Sequence, residues 1–286
     1  MRTRLVCLVI VAGGCSASTV GEDLGSVDLS VADLSTADLA GVDLASTDLA
    51  SPDLASTDLA TPTLSVGSSA IKQRINATGP STGTLTTNPV TTSTGSTLLC
   101  SLARGIWSTA PDAPSDSHGN TYTVLGATHT YADYPTSKTG LYAKLSATGG
   151  ANHTASMTWG DSGGSGDEVT LSCVETRGTS SIQDSAWVER AQANSLTSGT
   201  VQTTKPALLL AWWWGSGGVR TVGQSHVATP DSNFTLLPDA TGLVSLSTNG
   251  YIQVAVAYRI VQTPGTYSVT WTTDNEGAQL YLVALQ

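Results

Sequence analysis

The sequence predicts an all-β fold, an antiparallel β-sandwich of jelly-roll-like kind, and three observations carry that reading. From about residue 65, short runs rich in Val, Thr, Leu, Tyr and Trp alternate with clusters of Gly, Pro, Asn and Asp, which is strand-and-turn punctuation. No segment keeps up a 3.6-residue apolar period, so helices are not expected. Charged residues are only 12% of the chain and Gly reaches 29, with abundant Ser and Thr, as in exported β proteins with polar but uncharged outer faces.

The amino terminus is an address. Arg2 and Arg4 precede the apolar run Leu5-Val6-Cys7-Leu8-Val9-Ile10-Val11-Ala12. That run is far shorter than the ~20 residues that span a bilayer, so it reads as an export signal. The following Ala12-Gly13-Gly14-Cys15 resembles the bacterial lipoprotein signal, with Ala12 where Leu is usual. The resemblance implies a signal peptide over 1–14, a lipid-modified Cys15 and attachment to a membrane. Ser16 after the cysteine favours the outer membrane or cell surface. Plain secretion, with cleavage near Ser16-Ala17-Ser18, is the alternative.

Residues 15–64 are organised by a period of five. Asp-Leu recurs at 23–24, 28–29, 33–34, 38–39, 43–44, 48–49, 53–54 and 58–59, usually followed by Ala or Ser. The units resemble pentapeptide-repeat β-helices. Eight copies would close only about two coils, too few to bury a stacked core, and Pro52 and Pro62 interrupt the series. An extended, self-repelling acidic spacer is the expected form. Similar Asp-Leu-Ala runs after a lipoprotein cysteine resemble predicted lipoproteins of myxobacteria. The spacer also explains the charge. Nine of the 22 acids precede residue 60, which leaves 13 acids against ten basic residues from residue 65 on. A nearly neutral domain has no footprint for nucleic acid.

Residues 65–286 form the sandwich domain. Strands are expected at 69–73, 97–102, 121–127, 140–146, 154–159, 169–175, 200–203, 207–214, 218–223, 251–261, 266–272 and 279–285. Pro264-Gly265 is read as a hairpin turn joining 258–261 to 266–271. The run Leu208-Leu209-Leu210-Ala211-Trp212-Trp213-Trp214 is apolar on both faces of its strand. It is therefore either covered on both sides or presents tryptophan to a partner. Pieces such as Asp116-Ser117-His118-Gly119-Asn120-Thr121-Tyr122-Thr123, Leu141-Tyr142-Ala143-Lys144 and Pro264-Gly265-Thr266-Tyr267-Ser268-Val269-Thr270-Trp271 resemble an uncharacterised sandwich module of secreted bacterial proteins. That resemblance implies a lectin-like sandwich and transfers no catalytic residue.

Candidate chemistry is sparse. Cys100 and Cys173 are expected to pair as a disulfide if their strands are neighbours, export giving an oxidising setting; two separate buried thiols are the alternative. Asp112, Asp116 and Asn120 lie in one turn-rich loop whose oxygens would suit Ca²⁺, although these are also ordinary turn residues. His118, His129, His153 and His226 carry no nucleophile or zinc spacing and read as surface residues. Glu175 with Asp184 and Glu189, the last two in a polar loop, does not match the spaced carboxyls of glucanase strands. Trp212, Trp213 and Trp214, the last beside Gly215-Ser216-Gly217-Gly218, are the candidate ligand-stacking side chains. The reading is a lipid-anchored, non-catalytic surface module that binds polysaccharide or a surface protein. A purely structural or adhesive module and a carbohydrate hydrolase are the alternatives.

Overall fold

The structure, a computed structural model, describes residues 63–76, 83–105, 113–132, 134–159, 167–217, 228–245 and 251–286. Cys15, the Asp-Leu repeats, Asp112, His226 and the expected 218–223 strand lie outside them.

The described residues are nearly all strand, and every strand pairing is antiparallel, in accord with the expected sandwich. One sheet has six strands. Its path runs from Ser65–Asn76 through Asp167–Arg177, Thr97–Arg104 and Tyr134–Lys144 to Thr123–Val124, with His129–Tyr131 also on Tyr134–Lys144. The other has seven. Its path runs from Ile182–Thr197 through Thr270–Leu285, Ala207–Gly217 and Tyr251–Val261 to Thr235–Leu236. Each sheet thus draws on one half of the chain. A jelly roll crosses between its sheets repeatedly; among the described residues the strands pass from the six-stranded to the seven-stranded sheet once, through the short link after Arg177.

Leu99, Leu141 and Val174 of the first sheet and Leu208, Leu210, Trp212, Trp214, Val256 and Val283 of the second fill the space between the sheets. The outer faces are also covered. Leu85, Ala155 and Met157, from small strands, lie over Leu98, Cys100 and Leu171. Val201, Phe234, Val269 and Trp271 lie over Leu209, Ala211, Trp213 and Leu280. This decides the question posed by the Leu208–Trp214 run: both of its faces are core.

Two expectations are corrected. The Pro264-Gly265 turn does not make a hairpin between its flanking strands, because Ala207–Gly217 pairs with both Tyr251–Val261 and Thr270–Leu285 and separates them. Gly265–Tyr267 pairs instead with Val201–Thr203. A strand apolar on both faces gains most at the centre of a sheet, and that non-local gain outweighs local turn chemistry. Second, residues 182–197 are not a polar loop. They form a 16-residue edge strand with three register shifts against Thr270–Leu285. The shifts break the period-two alternation that would have marked it.

Candidate functional site

The three candidate stacking tryptophans are not available to a ligand. Trp212, Trp213 and Trp214 are 1%, 0% and 2% exposed, held between layers by the central strand that carries them. Their neighbour across the second face, Trp271, is equally buried. Cys100 and Cys173 sit directly opposite each other on paired strands and form a disulfide.

The loop proposed for calcium is built differently. Asp116, followed by Gly119 in the left-handed region (φ 74°), closes a tight turn on itself. The backbone N–H groups of His118 and Asn120 donate to Asp116 Oδ1, each at 3.0 Å. Asn120 Nδ2 and the Tyr122 hydroxyl donate to Oδ2, each at 2.8 Å. His153 Nε2 lies 3.1 Å from the same oxygen. Asn120 in turn spans to Thr148, accepting from its N–H and donating to its carbonyl. Asp116 and Asn120 are therefore spent on one another and on their neighbours rather than turned toward a shared cation. Among the described residues no group of three His, Cys, Asp or Glu is placed to hold a metal ion. Burial alone would raise the Asp116 carboxyl, but the bonds from Asn120, Tyr122 and His153 outweigh it and hold the group below the usual carboxylate range.

His153 is buried, not on the surface, and its Nδ1 lies 2.6 Å from Thr92 Oγ1. Hydroxyl, imidazole and carboxylate then stand in the order of a nucleophilic triad. Two facts argue against that chemistry. The cleft beside Thr92 and His153 measures about 30 Å³, room for a water or two and for no acyl substrate. The Glu175 carboxylate also lines it and would oppose a developing oxyanion. Glu175 is kept ionised there: burial would raise it, but Arg177 and the Ser68 and Ser93 N–H groups bring it below the usual range. The cluster is a polar staple that ties the outer strands to the six-stranded sheet.

A second cleft has the dimensions of a ligand site. It measures about 380 Å³ and opens where the Ile182–Thr197 edge strand faces the His129–Tyr131 and Tyr134–Lys144 strands. His129, Trp187 and Tyr281 supply its aromatic wall; Leu125, Leu141 and Val283 supply its apolar floor, and Ser185 adds a hydroxyl. The His129 and Trp187 rings stack with centroids 3.7 Å apart and planes 5° from parallel. Tyr281 meets His129 edge-on at 5.9 Å. Burial pushes the His129 imidazole below its ordinary pKa, so the stack is neutral at neutral pH. The Trp187 indole N–H is turned inward, buried and without a hydrogen-bond partner among the described residues, so only the ring faces the cleft.

Sequence reasoning did not single out Trp187 and took His129 only for a surface residue. The usable signal was Trp187 in a polar stretch, where an indole has little reason to be unless a partner or a second layer covers it. Compared with protein-family models, curated proteins and solved structures, the chain matches none.

Proposed function

We propose that the chain is an exported, lipid-anchored surface module whose sandwich domain binds glycan without catalysis, taking a sugar ring in the cleft of Trp187, His129 and Tyr281. The observation that carries this reading is the cleft itself: a wall of flat, uncharged rings from His129, Trp187 and Tyr281, the Ser185 hydroxyl beside it and a volume of about 380 Å³. A pyranose has apolar C–H faces and a rim of hydroxyls, and an aromatic wall with a polar Ser185 side chain beside it complements both. Nothing among the described residues points to catalysis, and the only hydroxyl–imidazole–carboxylate chain lies in a cleft too small for substrate. Cys15 after a short apolar leader supports the anchor, and the Asp-Leu spacer would hold the domain clear of the membrane.

The test is binding of the wild-type chain and Trp187→Ala to an array of polysaccharides. Wild type should bind at least one class, and Trp187→Ala should lose tenfold or more in affinity, about 1.4 kcal/mol or more. No binding by wild type discards the glycan reading and leaves a structural or adhesive module. Equal binding by the variant moves the site elsewhere. The anchor is tested separately. Inhibiting the lipoprotein signal peptidase should accumulate unprocessed precursor, and a mature chain beginning after Ser18 would refute lipid attachment.

A further inference from the structure

Behind the Trp187 cleft, a hydroxyl and a carboxamide from opposite sheets meet in the dry interior. Thr139 belongs to Tyr134–Lys144 of the six-stranded sheet and Gln279 to Thr270–Leu285 of the seven-stranded sheet, and both are 0% exposed. The Thr139 hydroxyl donates to Gln279 Oε1, and the Tyr281 phenol oxygen lies 2.7 Å from Thr139 Oγ1. Gln279 Nε2 is held far less well. Its hydrogen bond to Glu189 Oε2 is 3.4 Å long, beyond the usual range for N–H···O. Glu189 also accepts the Ala132 N–H through both oxygens, at 3.0 and 3.1 Å, which keeps its carboxylate beside that nitrogen. A buried carboxamide with a gripped carbonyl and a loosely held nitrogen is an expensive way to join two sheets by hydrogen bonds alone.

We infer that Thr139 and Gln279 join covalently, as an ester between the two sheets formed in the folded protein with loss of ammonia. Thr139 Oγ1 adds to Gln279 Cδ while its proton passes along the existing hydrogen bond to Oε1. On collapse the carbonyl re-forms and the Cδ–Nε2 bond breaks. The Oε1 proton passes to the departing nitrogen, beside which the Glu189 carboxylate lies, and the nitrogen leaves as ammonia. The balance is one hydroxyl and one carboxamide converted to one ester and one ammonia, with no oxidant, reductant or other reactant. Two features drive it forward. The folded sheets hold the reacting groups together, and intramolecular placement of this kind reaches effective molarities of ~10⁵ M or more. Burial keeps water from the ester, while ammonia leaves. The link is independent of any ligand in the cleft. Its value would be mechanical, a covalent tie across the interface that otherwise depends on apolar packing.

Tryptic digestion of the purified full-length chain decides it. Cleavage after Lys138, Lys144 and Arg259 isolates Thr139 in peptide 139–144 and Gln279 in peptide 260–286. The wild type should yield these two as one species, lighter than their sum by one ammonia and split by alkaline hydroxylamine. Thr139→Val should give only the separate peptides, with Gln279 an intact amide, and Thr139→Ser should restore the link. Free peptides 139–144 and 260–286 with no joined species in wild type would overturn the inference, whether or not the Val variant folds. So would an ammonia loss from 260–286 that survives Thr139→Val.

Discussion

At the scale of single residues, two buried carboxylates organise the first sheet's outer layer. Asp116 gathers His118, Asn120, Tyr122 and His153; Glu175 gathers Ser68, Ser93 and Arg177. Asp116→Ala would strand several buried donors at once and should cost about 3 kcal/mol, read as a lower urea midpoint with an unchanged slope. A change within the scatter of surface substitutions would show that the staple is idle. Both carboxyls are held below their ordinary pKa in the folded state. The unfolded chain therefore binds protons first as pH falls. Their stabilisation is complete above roughly pH 4 and is lost below it as the pH falls through the folded values. His129 acts in the same direction higher up, because its folded pKa is also lowered. Its share is present above roughly pH 6.5 and declines as pH falls from there. Urea midpoints measured across pH should show both windows, and His129→Gln should flatten the upper one; an unchanged upper slope in that variant contradicts the assignment.

At the scale of elements, the Ala207–Gly217 strand carries the greatest load. It pairs on both edges and is buried on both faces, so Trp213→Ala opens a cavity that neighbours cannot fill and should cost about 3–5 kcal/mol. Amide exchange should be slowest in this strand and its two partners; early exchange there would mean that the sandwich opens from its centre. The Cys100–Cys173 bridge ties adjacent strands of the six-stranded sheet across a separation of 73 residues. Replacing both cysteines by Ala should cost about 2–4 kcal/mol, seen as a lower melting temperature, because the freed loop gains entropy when unfolded. Many of these strands were legible as apolar runs bounded by turn residues. Ile182–Thr197 was not, because its bulges shift the alternation and its polar side chains belong to a half-wet edge.

At the scale of the whole molecule, the two sheets and their outer covers share three apolar clusters, and the central strand belongs to two of them. The layers are therefore expected to unfold together, with tryptophan fluorescence and far-ultraviolet dichroism following one transition. Separate midpoints would show that an outer cover melts alone. The sequence by itself determined the fold class, since composition and period are local properties of the chain; the export-and-spacer organisation of the amino terminus stands as an expectation, and the Leu208–Trp214 run left open whether both of its faces are covered. Only the tertiary structure decided which strands are neighbours. It put Ala207–Gly217 where a hairpin was expected, closed Cys100 on Cys173, and turned Asp116 inward onto His153. It also set Trp187 against His129 and Thr139 against Gln279. Each of those pairings joins residues far apart in sequence, and β-structure settles such partners by the area that whole faces bury, which no short window of residues records.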